Sequence, residues 1–315
     1  MSTAFVFPGQ GSQSVGMLAA LAAKDAVVPQ TFAEASDVLG YDLWQRVSEG
    51  PADALNATEC TQPAMLAAGV ATWRAWRNAG GAVPDRVLGH SLGEFTALVA
   101  AEALEFPRAV ALVRERARLM QAAVPAGVGA MAAVLGLDDD KVIDACMSVA
   151  NDEVVQAVNF NSPGQVVIAG HATAVNRAIE KVKSLGAKRA VLLPISVPAH
   201  SALLEQAAKS FRASIDAAGL RAPRIEFWSP SDVKPHSDPH DVADVLQHQL
   251  AQAVRWTDTV TTLIDHGITR FIECGPGEVL AGLVKRIGKG RGIESLAISD
   301  PASIDSARTL PGGAS

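Results

Sequence analysis

Between residues 86 and 103 the sequence sets a short apolar strand, a glycine-flanked turn and an apolar helix end to end: Arg86-Val87-Leu88, then Gly89-His90-Ser91-Leu92-Gly93, then a helix read from Leu92 to Ala103. A chain that leaves a strand directly into a helix returns to the same sheet by a crossover, which makes the strands parallel. Two further apolar runs fit that sheet: Thr3 to Phe7, closed by Pro8-Gly9, and Arg270 to Glu273. Residues from Gly11 to about Glu49 are helical in composition, with apolar positions at Phe32, Ala35 and Leu39. Pro63 is expected to open a helix running to about Ala79, because proline suits the first helical turn. The cluster Asn78 to Pro84 then breaks it.

The texture changes at Pro125. A strand is expected over Gly127–Leu137, followed by a helix over Asp138–Ala150 led by acidic residues, which suit a helix N-terminus. Strands at Val154–Asn159 and Gln165–Ala169 flank the turn signal Asn161-Ser162-Pro163-Gly164. A second helix over Ala172–Leu185 and a fourth strand over Ala190–Val197 complete a β-α-β-β-α-β order, that of a ferredoxin-like unit. The expected fold class is therefore α/β. A parallel-sheet body covers 1–125 and 198–298, a ferredoxin-like subdomain is inserted over 126–197, and a mobile tail rich in Ser, Ala, Pro and Gly covers 299–315.

Charge and composition remove several function classes. A net charge of −6 argues against a nucleic-acid binder, whose footprint is basic. No apolar run reaches the ~20 residues of a membrane-spanning helix, and Met1 to Phe7 lacks the basic segment of a secretory signal. Cys60, Cys146 and Cys274 are scattered and odd in number, which fits a reducing cytoplasm without disulfides and offers no structural zinc site. His236 and His240 have a metal-like spacing, but Pro235 and Pro239 keep them off a common helical face. No metal is expected.

Gly89-His90-Ser91-Leu92-Gly93 matches G-x-S-x-G, and a strand before with a helix after is the context that gives this motif meaning. Flanking glycines relieve crowding around a serine in strained dihedrals. The hydroxyl then stands clear near the positive end of a helix. Ser12-Gln13-Ser14-Val15-Gly16 lacks the first glycine and fails the pattern. The plainer reading of Ser91 is a capping serine at a turn. As a nucleophile it needs a base, and His200 is best placed, in Val197-Pro198-Ala199-His200-Ser201, where an apolar strand gives way to a helix. A purely structural junction histidine is the competing reading. His90 adjoins Ser91, but neighbours on such a turn point apart.

Four segments taken together resemble the malonyl-coenzyme A:acyl carrier protein transacylase family: Phe7-Pro8-Gly9-Gln10-Gly11-Ser12-Gln13, Gly89-His90-Ser91-Leu92-Gly93-Glu94, Val197-Pro198-Ala199-His200 and Gly275-Pro276-Gly277. They occur in the family's order, and the likeness runs from residue 5 to about 287. The resemblance implies an α/β-hydrolase-like body carrying a ferredoxin-like subdomain. It implies Ser91 as the acylated nucleophile, His200 as general base and then acid, and the backbone N–H groups of Gln10 and Leu92 as an oxyanion hole. It places the substrate carboxylate on Arg116, within Val113-Arg114-Glu115-Arg116-Ala117-Arg118, and gives the orientation of His200 to the main-chain carbonyl of Gln249.

Residues two apart on a helix do not share a face, so at most one of Arg114, Arg116 and Arg118 points inward. Without the resemblance all three read as a solvated face. A guanidinium fork suits a free carboxylate, and a neutral acetyl group would leave that buried charge unpaired. No carboxylate fits a Ser-acid-His order, which a carbonyl partner for His200 explains. Glu94 reads as a complement to the helix dipole, and Asn159 to Gly170 as a structural hairpin with turn asparagines. Trp228-Ser229-Pro230-Ser231-Asp232 departs from the asparagine-rich sequence usual there, which puts polar contacts from that loop in doubt.

The implied activity is ping-pong malonyl transfer from malonyl-coenzyme A to the phosphopantetheine thiol of acyl carrier protein. Coenzyme A thioester is then substrate rather than cofactor, no cofactor is needed, and a cytoplasmic monomer is expected. An acidic carrier needs basic patches on this acidic chain. Lys181, Lys183, Lys188 and Arg189 make one, and Lys285, Arg286, Lys289 and Arg291 another, each equally readable as solvated charge. Competing readings are the malonyl transferase of malonate decarboxylase or of polyketide synthesis, a serine esterase or thioesterase, and an inactive scaffold. An esterase calls for neither Arg116 nor the Gly9-Gln10-Gly11 loop.

Overall fold

A computed structural model of the chain describes residues 2–125, 127–195 and 197–310. Its strands among those residues are β1 (Ser2–Phe7), β2 (Arg86–Gly89), β3 (Gly129–Leu135), β4 (Val155–Ser162), β5 (Gln165–His171), β6 (Arg189–Leu192), β7 (Glu226–Ser229), β8 (Lys234–His236), β9 (Ile268–Cys274) and β10 (Glu294–Ile298). They form a six-stranded sheet ordered β10-β9-β1-β2-β7-β8 and a four-stranded sheet ordered β4-β5-β3-β6. The first is parallel except for β8 at its edge, and the second is antiparallel throughout.

Successive side chains on a strand face opposite ways, and β1 shows both faces covered. Phe5 and Phe7 pack with Trp73 and Trp76 of the helix Thr58–Asn78, while Ala4 and Val6 join Leu88, Val260 and Leu283 on the other side. Helices on both faces are what a parallel sheet requires. The register pairs Phe7 with Gly89, and Glu273 with Val6, so the carboxyl ends of β1, β2 and β9 lie side by side. The residues that follow β1 and β2 therefore meet at one edge.

The four-stranded sheet has its own apolar core on one face. Val134, Val166 and Ile168 pack there against Val142 and Val175, from the helices Asp139–Val149 and Ala172–Ser184. Its other face presents Met131, Val158 and Val167 toward Leu193, Ile195 and Ala199. Backbone hydrogen bonds join the two sheets' surroundings, Phe160 N to Val254 O at 2.9 Å and Val254 N to Val158 O at 2.8 Å.

Four sequence expectations are corrected. The helix expected to open at Pro63 begins at Thr58, with Pro63 inside it. Proline early in a helix forfeits a single backbone bond, and burial of Ala64 to Ala68 outweighs that. The strand expected over Ala190–Val197 ends at Leu192, because Pro194 cannot donate to a ladder; Ser196 lies outside the described residues. Strand β4 runs on to Ser162, so the turn narrows to Pro163-Gly164. The tail expected to be mobile over 299–315 instead forms the helix Pro301–Thr309. Asp300 accepts from Ser303 N at 2.9 Å and Ser303 returns the bond, a capping box, while Ile304 and Ala307 are buried. Residues 311–315 lie outside the described residues. No helix among the described residues is long and apolar enough to cross a membrane.

Candidate active site

Ser91 sits between β2 and the helix Gly93–Ala100 with φ of 53°, a left-handed conformation that costs a non-glycine residue roughly 1 kcal/mol or more. Close approach around it is built on glycine. A Cβ on Gly93 would lie 2.0 Å from the Phe7 carbonyl oxygen, and one on Gly9 would lie 2.4 Å from that of His90. The loop after β1 can thus press against the turn after β2, which brings Gln10 alongside Ser91 in one pocket.

His200 also has a left-handed backbone, with φ of 64°, and its Nε2 lies 2.7 Å from Ser91 Oγ. Its Nδ1 faces two carbonyl oxygens, Gln249 O at 2.7 Å and Gln252 O at 3.1 Å. Carbonyls only accept, so Nδ1 carries the proton and Nε2 turns a lone pair to the serine hydroxyl. Burial, and then the charge of Arg116, push the imidazole pKa down to about 3, against the pull of the two carbonyls. The ring is therefore neutral near pH 7. His90 points elsewhere: its Nε2 bonds Asn161 Oδ1 at 2.9 Å and its ring packs on Trp256.

Of the four arginines on the helix Phe106–Ala123, Arg116 alone turns inward, at 2% exposure, while Arg108, Arg114 and Arg118 are exposed. Its Nη1 donates to Gln62 Oε1 at 2.9 Å, and its Nη2 to Gln249 Oε1 at 2.7 Å and to Ser91 Oγ at 3.2 Å. Burial lowers its pKa to about 10, opposed by the charge of Glu94, so it remains a cation at neutral pH. Its Nε makes no hydrogen bond among the described residues. The amides of Gln10 and Leu92 donate to no backbone carbonyl among those residues, and both residues line the pocket with Ser91 and His200.

All six residues singled out from the sequence thus border one cavity or its wall: Ser91, His200, Gln10, Leu92 and Arg116 line it, and Gln249 bonds three of them, Ser91, Arg116 and His200. Sequence reasoning passed over Gln62, Gln252 and the contact of Asn161 with His90. Gln62 left no signal, because it stands among the polar residues Thr58, Glu59 and Thr61 before Pro63. Asn159 and Asn161, read as turn asparagines, line the pocket, as do Met131 and Val167 from the second face of the four-stranded sheet and Leu193 and Ile195 from the segment after β6.

A serine and a neutral histidine at the carboxyl edge of a parallel sheet, beside a buried cation, define a serine-dependent acyl transferase, and residues 4–301 match the acyl transferase domain family. The malonyl CoA-acyl carrier protein transacylase of Salmonella typhimurium is 49% identical over 97% of this chain and 98% of its own length, and that of Bacillus subtilis is 41% identical over 96% and 95%. The acyl carrier protein S-malonyltransferase of Vibrio cholerae superposes with a TM-score of 0.94 at 51% identity, over 97% of this chain and 99% of its own. A type II PKS acyl-carrier protein in complex with its malonyl-transacylase gives a TM-score of 0.95 at 48% identity, over 98% and 99%. The chain belongs to the malonyl CoA-acyl carrier protein transacylase family.

Proposed function

We propose that this chain transfers a malonyl group from coenzyme A to the phosphopantetheine thiol of acyl carrier protein, through an acyl-Ser91 intermediate. One observation carries the reading: Ser91 Oγ lies 2.7 Å from a neutral imidazole nitrogen and 3.2 Å from a buried guanidinium. The first contact makes a nucleophile, and the second selects an acyl group that ends in a carboxylate.

In the first half-reaction Ser91 Oγ attacks the thioester carbonyl as its proton passes to His200 Nε2. The carbonyl oxygen becomes an oxyanion, for which the free amides of Gln10 and Leu92 are the available donors. The C–S bond breaks, and His200 returns the proton to the coenzyme A thiolate. In the second half the carrier's thiol gives its proton to His200, attacks the ester, and Ser91 recovers its proton. The carboxylate of the malonyl group pairs with Arg116 and so offsets the repulsion that adds to burial in holding His200 a weak base. An acetyl group leaves that repulsion in place.

The fold details belong to the same reading. Helices between β3 and β4 and between β5 and β6, with the strands ordered β4-β5-β3-β6 in the sheet, support a ferredoxin-like subdomain near 126–197, and the elbow after β2 supports an α/β-hydrolase-like body. The thiols Cys60, Cys146 and Cys274 are free, which supports a reducing cytoplasm. Carrier docking is best served by the patch with Lys285 and Arg286. Arg286 Nη1 bonds Gln165 Oε1 at 2.7 Å, and Gln165, Val279 and Leu283 line the pocket. Raising salt should therefore slow encounter with the carrier. The acceptor in the solved complex favours a polyketide carrier as a second acceptor class.

Intact-protein mass after brief mixing with malonyl-coenzyme A, and separately with acetyl-coenzyme A, tests the proposal. A malonyl adduct on Ser91 with little acetyl adduct is expected. Absence of any adduct, or prompt release of malonate to water, would overturn it.

A further inference from the structure

Glu94 is a buried titratable group that the chemistry above leaves unused. It stands in the first turn of the helix Gly93–Ala100 and is 1% exposed. Its Oε1 accepts from Gln249 Nε2 at 3.1 Å, and its Oε2 completes no hydrogen bond of normal geometry among the described residues. The Gln249 side chain is held at both ends. Its Nε2 also donates to the Ser91 carbonyl at 3.2 Å, while its Oε1 accepts from Arg116 Nη2 at 2.7 Å.

An amide has one donor end and one acceptor end. Turned over, the Gln249 amide would set its NH2 against the guanidinium and its oxygen against two acceptors. An acceptor at position 94 therefore decides which end meets Arg116. Resting on the malonyl reading, we propose that Glu94 is a specificity-determining positioning residue: through the Gln249 amide it aims Arg116 at the acyl site, and when ionised it competes with the malonyl carboxylate for that guanidinium.

The groups facing Glu94 set the sign. Arg116 and the Ser229 hydroxyl favour its ionised form, while Asp232, in the loop after β7, opposes it. His200, on the far side of Gln249, is neutral. Burial outweighs the favourable contacts and raises the carboxyl pKa to about 8. Near pH 7 the site offers Arg116 to a substrate carboxylate without a rival anion. Above pH 8 Glu94 ionises, and a malonyl group then brings a second anion to one cation, unless Glu94 takes up a proton. An acetyl group brings none.

The ratio of malonyl to acetyl loading on Ser91 isolates this effect, because both donors use His200 and release the same thiol. In the unaltered protein the ratio should fall between pH 7.5 and 9.5, by up to roughly ten-fold per pH unit. Glu94→Gln keeps an acceptor for the amide but removes the charge, and its ratio should stay level from pH 7.5 until Arg116, whose own pKa is about 10, begins to lose its proton. A wild-type ratio independent of pH, or a Glu94→Gln ratio that falls as the wild type does, would overturn the proposal. A measurement on the unaltered protein stands beside these in case the variant does not fold. At pH 8.5, mixing with malonyl-coenzyme A in an indicator dye should take up protons that mixing with acetyl-coenzyme A does not. Equal signals would count against Glu94 alone, whereas failure of malonyl to load at any pH would sink the acyltransferase reading with it.

Discussion

The two sheets of this molecule differ in what they bury. The six-stranded sheet and its helices enclose Glu94, Arg116, Arg270 and Glu273, together with the left-handed backbones of Ser91 and His200. Among its described polar residues the four-stranded unit buries only Asn159 and Ser162, around a core mainly of valine, alanine, isoleucine and leucine. A parallel sheet covered on both faces keeps water from its strand ends, and there charge interactions strengthen. The antiparallel unit keeps an ordinary apolar core on one face and lends the other to the pocket. On the proposed reading the body holds the reacting groups, and the smaller unit shapes the room around them.

Separate damage to the two regions tests this division. The largest effect is expected on the body's side: Ser91→Ala should abolish the acyl adduct and lower transfer by about 10⁴–10⁶, read by quenched-flow transfer to carrier protein. Next comes Ile168→Ala in the smaller unit's core, expected to cost about 2–5 kcal/mol of stability in a denaturant titration. The fraction that remains folded should still load malonyl at the normal rate. If loading fails in step with Ser91→Ala, the smaller unit takes part in the chemistry and the division is wrong. Arg116→Ala should narrow the malonyl-to-acetyl loading ratio by roughly 10- to 100-fold, the worth of a hydrogen bond to a charged group.

The smallest effect is an absence. A histidine at its ordinary pKa of about 6.5 would lose about ten-fold in basic form between pH 7.5 and 5.5. His200, held near 3 by burial and Arg116, keeps its free base throughout, so the malonyl loading rate should change less than about two-fold over that span. Stability should move the other way. The unfolded chain protonates this histidine below about 6.5 and the folded one does not, so acidification favours unfolding. A loading rate that follows an ordinary histidine titration would show that water reaches the body's core.

Features carried by local spacing were legible in the sequence. Glycine on either side of Ser91 and the strand-to-helix change at His200 needed only adjacent residues, and the structure brings the two side chains to 2.7 Å. The α/β class, with a parallel sheet and a separate antiparallel one, followed from the same punctuation. Features made by distant contacts were not legible. Glu94 has the position of a dipole complement, and only its meeting with Gln249, 155 residues away, shows it to be buried. Gln62 reaches Arg116 across 54 residues in the same way. The terminal helix was hidden by composition, since alanine and serine suit a helix as well as a linker, and the Asp300–Ser303 cap decides between them.

The left-handed conformations at Ser91 and His200 have a consequence for any effort to toughen this protein. Glycine would relax either position by about 1 kcal/mol, so heat selection carried out without an assay for acyl transfer should enrich variants that have lost one or both. The most durable descendants of this chain would then be its least useful ones, and a thermal screen has to be paired with turnover from its first round.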